Sequence, residues 1–304
     1  MTKNAIFMIE LAQGSDLSYA TYCYNTWEWW GRRHGIDVLI LQEPVIDPKA
    51  MPATWQRYWL FKLLERNGLE YDQVAMIDVD TMVRWDCPNF FELTDGKYTS
   101  VLDRCGVGWV NQAITGYKGM FPDVCLEWWE FFFAGFVIVN GRHQKLYEAV
   151  IDFYWDNFLE LNQRPLTLKK GTDITPINFL VKQEGVPTTF LSPNYHLCSL
   201  QQKNILANRA FIDLAYAWHF NGFPKSKRLE VMRDTWQQIK TRYSGETPGV
   251  NGSVIKLSAD RMLSEEERRS YLETAQIETK KLIVPSRQSR VPGLADRLRR
   301  CFGS

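Results

Sequence analysis

The chain has 304 residues, of which 45% are apolar and 23% charged, with a formal net charge of +1. This composition suffices for a packed core, and the near balance of basic and acidic residues excludes a dedicated nucleic-acid binder, whose footprint is strongly basic. The six cysteines include no Cys-x-x-Cys pair, which excludes a zinc cage or a disulfide scaffold, and no window reaches the roughly 20 apolar residues of a membrane span. The thiols read as those of a reduced, cytoplasmic protein. The run from Ala5 to Ile9, broken by Glu10, is too short for a secretory signal.

In chain order, Ala5-Ile6-Phe7-Met8-Ile9 predicts a buried strand, and Gly14-Ser15-Asp16 a loop with helix-capping residues. Residues 17–34 predict a helix stopped at Gly35, and 36–41 a second strand, so the pair is a parallel crossover unit. Residues 55–67 predict a helix, and Val74-Ala75-Met76-Ile77 a strand that runs into Asp78-Val79-Asp80. Residues 88–93 read as a short helix or turn, 98–102 as a strand ending at Asp103, and the glycine-rich stretch 106–119 as an irregular loop over a site. Phe131-Phe132-Phe133-Ala134-Gly135-Phe136-Val137-Ile138-Val139-Asn140 predicts a central strand, closely approached at Ala134-Gly135. Helices follow at 144–161 and 173–183, a short strand at 188–191, and a loop or edge segment at 215–227. The architecture expected is α/β, with a mostly parallel, Rossmann-like central sheet flanked by helices over residues 1–244. Residues 245–304 read as a linker and a helical, basic extension, the Ser264-x-x-Glu267 capping box opening its first helix.

The chemistry is densest at Asp78 and Asp80. Two carboxylates at i and i+2 leave an extended strand on one side, at the sheet edge where ligands collect in open α/β folds. Burying both as ions needs a cation or strong donors. Hard oxygen ligands suit Mg²⁺ or Mn²⁺, whose usual partner is a diphosphate.

A hydrophobic strand ending in Asp-x-Asp, followed in order by Phe133-Ala134-Gly135, Asp173-Ile174-Thr175-Pro176-Ile177-Asn178 and His219-Phe220-Asn221-Gly222-Phe223-Pro224-Lys225, resembles the GT-A nucleotide-sugar glycosyltransferases. Within them it is most similar to the glycogenin and lipopolysaccharide galactosyltransferase group. The resemblance implies a divalent metal, Mn²⁺ or Mg²⁺, on Asp78, Asp80 and His219. It further implies a UDP-linked sugar as donor, approached by the backbone at Val79, Ala134, Gly135 and Gly222 and by the charge of Lys225. Arg57 is either a donor contact or a solvated surface arginine, Asp103 either a sugar contact or a turn cap, and Asp173 either the catalytic carboxylate or a helix N-cap. Trp109, Trp128 and Trp129 are candidates for stacking on an acceptor sugar, the latter two also for core.

Two positions depart from the family pattern: Ile174 stands where Gln is usual, and Ser226-Lys227 replace Pro-Trp. The resemblance implies retention of anomeric configuration; inversion would make Asp173 the base for the acceptor hydroxyl. Acceptors open to such an enzyme are carbohydrate, lipid-linked or protein hydroxyls. A sugar nucleotidyltransferase is a rival, although residues 10–18 lack the basic, glycine-rich loop it would carry. A catalytically silent carbohydrate-binding module is the other. The basic, amphipathic end from Arg287 to Phe302 is either a peripheral membrane or protein contact or a solvated tail.

Overall fold

Alternating residues of the apolar runs belong to two different cores, and this sets the architecture. The computed structural model describes residues 2–11, 17–102, 106–163, 171–202, 205–243, 252–260 and 262–283. In β1 (Asn4–Ile9) the side chains of Ala5 and Phe7 join one buried cluster, and those of Ile6 and Met8 the other. β2 (Asp37–Leu41) and β3 (Gln73–Ile77) split in the same way, with Leu39 and Met76 on one face and Val38 and Ala75 on the other. A strand covered on both faces has no polar side to show, hence the unbroken apolar runs.

The strands are β4 (Thr81–Val83), β5 (Tyr98–Leu102), β6 (Phe132–Val139), β7 (Thr188–Leu191), β8 (Ala217–His219) and β9 (Val254–Leu257) in addition to those three. Among the described residues seven form one sheet in the order β7-β5-β6-β3-β1-β2-β9. It is mostly parallel, with β6 running antiparallel to both β3 and β5. β4 and β8 make a separate antiparallel pair, in which Thr81 lies opposite His219.

Helices cover both faces. α1 (Ala20–His34) ends at Gly35, whose φ of 68° is left-handed, as a helix stop requires. The helix expected over 55–67 is three pieces: α2 (Ala53–Gln56), a 3₁₀ turn Arg57–Trp59, and α3 (Leu60–Arg66). The stretch read as a loop over 106–119 is instead α4 (Val107–Tyr117). Val110, Ala113 and Tyr117 recur there at helical spacing and are all buried, and that stripe outweighs the poor helix propensity of its glycines.

The helix expected at 144–161 divides into α5 (Gln144–Asp156) and α6 (Phe158–Gln163), and α7 (Ile174–Gln183) follows as expected. α8 (Phe211–Leu214) precedes β8, and α9 (Lys225–Ile239) begins inside the segment read as loop or edge. α10 (Glu265–Ile283) carries both capping-box bonds: Glu267 N–H donates to Ser264 Oγ at 3.1 Å, and Ser264 N–H donates to the Glu267 carboxylate at 2.6 Å.

Beyond residue 251 the chain returns to the sheet, β9 pairing parallel with β2 so that Leu39 faces Ile255. Tyr271 of α10 stacks on Trp155 at 4.6 Å. The capping segment 14–16, the interior of the expected linker and the basic end from Arg287 onward lie outside the described residues. Among the described residues no helix is long and apolar enough to cross a membrane, and no disulfide forms.

Candidate functional site

β3 delivers its last apolar side chain at Ile77, and the acidic pair sits in the tight turn that leads to β4. Asp78 and Asp80 are therefore not two extended residues sharing a strand face. They converge because backbone bonds fold the turn over neighbouring strands: Asp78 N–H donates to Gly135 C=O at 3.2 Å, and Phe220 N–H to Asp80 C=O at 2.9 Å. The β4–β8 register brings His219 to the same point. Its Nε2 is 2.9 Å from Asp80 Oδ1 and 3.7 Å from Asp78 Oδ2.

Gly135 of β6 is the floor of this cluster. A β-carbon there would collide with Asp78 Oδ2 and lie 3.2 Å from His219 Cε1, so any side chain at this point would displace the Asp78 carboxylate. Next to it, Ala134 C=O accepts a bond from Arg57 Nη1 at 2.9 Å. Arg57 also reaches Asp78 Oδ1 at 2.8 Å through Nη2, and its Nε lies 3.7 Å from Asp173 Oδ2. It is thus no solvated surface arginine: its side chain is 13% exposed and carries three partners.

Asp173 precedes α7 but its carboxylate makes no capping bond. It accepts from Tyr58 Oη and Thr172 Oγ1, each at 3.4 Å, while buried at 6% exposure. Burial raises its carboxyl above the ordinary range, an effect that Arg57 only partly offsets.

Burial would likewise raise Asp80, yet the charge and hydrogen bond of His219, with help from Arg228, hold it down to about 2. Burial disfavours a charged His219, but Asp80 and then Asp78 outweigh that and raise it. An ionised Asp80 can only accept, so the 2.9 Å contact is His219 Nε2–H donating to Asp80 Oδ1. One ligand atom from each of Asp78, Asp80 and His219 lies within 4.8 Å of the other two, close enough to surround a single ion. Two carboxylate oxygens and one imidazole nitrogen are a donor set suited to Mn²⁺ and acceptable to Mg²⁺. With the space that Gly135 leaves, these residues fit a divalent cation.

A cleft of about 240 Å³ opens beside the pair, its wall including Leu17, Tyr19, Arg57, Val79, Asp80 and Arg228. Arg228 was not picked out by its residue type or spacing. From α9 its Nη1 lies 3.2 Å from both Asp80 Oδ2 and Tyr19 Oη, and its guanidinium covers the Tyr19 ring at 5.2 Å. The available signal was helical phase, since Arg228 shares the inward side of α9 with the buried Val231, Met232 and Thr235. Lys225, the expected diphosphate contact, is exposed at the first position of α9. Gly222 takes a left-handed φ of 74°, and its carbonyl accepts from Gln201 Nε2 at 2.9 Å.

His196 is a second residue without a sequence signal. It is 2% exposed, its ring lies 4.9 Å from that of His219, and neither of its nitrogens has a partner among the described residues. Of the aromatic candidates, Trp109 packs edge-on against Phe131, and Trp129 is 52% exposed rather than core. Asp103 lies outside the described residues.

No protein-family model and no curated protein matches the chain. Among solved structures it is similar to a glycosyltransferase involved in the glycosylation of the major capsid of PBCV-1, at 14% identity and a TM-score of 0.49, over 76% of this chain and 99% of that one. It is also similar to the bifunctional glycosyltransferase WbbM, at 15% identity and a TM-score of 0.45, over 79% of this chain and 52% of that one. A third likeness is to the glycosyltransferase GlyE of Streptococcus pneumoniae TIGR4, at 15% identity and a TM-score of 0.44, over 80% of this chain and 63% of that one. The chain thus spans about half of the second protein and under two thirds of the third.

Proposed function

We propose that the chain is a metal-dependent glycosyltransferase that moves a sugar from a UDP-linked donor to the hydroxyl of a carbohydrate, lipid-linked or protein acceptor, with retention of anomeric configuration. The observation that carries this reading is the convergence of Asp78, Asp80 and His219 from two separate segments, Asp78 and His219 packed over the bare backbone of Gly135, at the side of a cleft. A structural salt bridge needs no such clearance and no third ligand.

Asp78, Asp80 and His219 would hold Mn²⁺ or Mg²⁺, which when bound supplies charge stabilisation to a departing nucleoside diphosphate. Arg57 fixes the direction of Asp78 and, through the same guanidinium, ties it to Asp173. Asp173 is the residue proposed to face the reacting sugar, since Ile174 beside it is buried and carries no polar atom. Its buried carboxylate, steadied by Tyr58 and Thr172, has the fixed geometry expected of a group that acts on a developing positive charge.

Incubation with a panel of UDP-sugars, with Mn²⁺ or with chelator, tests the reading. Metal-dependent release of UDP, lost in Asp80→Ala, is the expected result. Retention is checked by NMR of the product's anomeric proton; an inverted product would move Asp173 to the role of base.

A further inference from the structure

Each acidic residue of the proposed metal site is paired with a guanidinium: Asp78 with Arg57 at 2.8 Å and Asp80 with Arg228 at 3.2 Å. The two arginines are not equally fixed. Arg57 engages all three guanidinium nitrogens, Nη2 with Asp78, Nη1 with the Ala134 carbonyl and Nε, at 3.7 Å, with Asp173. Arg228 stands in the same cleft wall, and although its Nη2 reaches the Phe223 carbonyl at 3.5 Å, its buried Nε has no hydrogen-bond partner among the described residues. A planar fork that uses part of its donors on one carboxylate oxygen is suited to exchange that contact for a bidentate bond to phosphate. The Tyr19 ring beneath the guanidinium and its hydroxyl at 3.2 Å provide a fixed seat during such an exchange.

We propose that Arg228 binds the donor's diphosphate and leaves Asp80 when a divalent cation and a nucleoside diphosphate enter together, so that it couples the two binding events. The proposal rests on the metal and donor reading above. Its electrostatics are simple. A cation at Asp80 competes with Arg228 for the carboxylate, and the diphosphate offers the displaced guanidinium a stronger anion. Each ligand therefore favours the other, and by linkage the two enhancements are equal. Arg228, rather than the exposed Lys225, is the main protein cation on the phosphates.

The test measures binding rather than turnover, by calorimetry with Mn²⁺ alone, UDP in Mn²⁺, and uridine in Mn²⁺, on the whole chain and on Arg228→Gln. Removal of the competing guanidinium is expected to tighten binding of Mn²⁺ alone by roughly two- to fivefold. The same variant is expected to weaken UDP by about ten- to a hundredfold, the cost of one lost charge-assisted contact, and to leave uridine within about twofold. A merely structural arginine would move the affinities for metal and nucleotide in the same direction. Lys225→Gln is expected to weaken UDP less than Arg228→Gln does. Should the glutamine variant fail to fold, Arg228→Lys carries the test, with UDP affinity expected between parent and baseline uridine binding. Parent-like UDP and Mn²⁺ binding in the variant would overturn the proposal alone. A parent chain that binds UDP no better than uridine in Mn²⁺ would overturn the donor reading and this proposal with it.

Discussion

At Gly135 a single missing β-carbon decides whether the acidic pair can close on His219. Gly135→Ala would drive a methyl group into Asp78 Oδ2. Overpacking of this kind costs about 1–3 kcal/mol, so a urea midpoint below that of the parent is expected, together with weaker Mn²⁺ binding. The pH dependence follows from the same cluster. His219 is raised above 6.5 in the folded chain, so its contribution is fully present below that value and fades as pH climbs through the raised one. Asp80 lies below its ordinary 3.8, so its contribution is present above 3.8 and is lost only as pH falls toward about 2. With chelator present, the stability gap between the parent and His219→Gln should be widest near about pH 5 and shrink above neutrality. A gap that grows with pH would contradict a protonated His219. Asp78 and Asp80 were legible as carboxylates ending a buried run and Gly135 as a glycine inside an apolar strand, while His219 was legible only through the family resemblance of residues 219–225. Arg228 and His196 were not, because an inward arginine and a buried histidine look like any others until the fold gives them neighbours.

At the scale of elements, the fastening of α7 to β6 decides where Asp173 stands. Asn178, 1% exposed, receives the Phe132 N–H on its Oδ1 at 2.9 Å and donates from Nδ2 to the Phe132 and Ile174 carbonyls at 3.0 and 2.8 Å. One amide thus joins a strand to a helix as another strand would. Asn178→Leu leaves the buried Phe132 amide and carbonyl unmatched, and a loss of about 2–4 kcal/mol by chemical denaturation is expected. Turnover should fall further than in a surface variant of equal stability, because the start of α7 is freed. The capping box of α10 is a milder case: Ser264→Ala is expected to cost about 1 kcal/mol. Strands buried on both faces were readable as runs. α4 was misread because glycines at 106, 108, 116 and 119 suggest a loop, whereas burial of Val110, Ala113 and Tyr117 fixes a helix. β9 is an edge strand of four residues, two of them exposed, too short for its pattern to stand out.

On the scale of the whole molecule, a sheet with helices on both faces presents one turn, β3 to β4, at which an outlying two-stranded ribbon delivers a histidine to two carboxylates. The α/β class and the acidic pair at the end of β3 were visible because local periodicity encodes them, whereas the turn that holds the pair was read as extended strand. The β4–β8 pairing was not, since Thr81 and His219 lie far apart in sequence and only the closed fold gives their register. This turn is proposed to hold a metal that works on a nucleotide-linked sugar. The most direct measurement is UDP release from a panel of UDP-sugars, with Mn²⁺ and with chelator, in the parent and in an Asp80→Ala chain of unchanged circular dichroism. Release is expected to require Mn²⁺ and, in Asp80→Ala, to fall by more than the roughly 100-fold that loss of a supporting residue produces. Equal release in chelator, or undiminished release by Asp80→Ala, would contradict it.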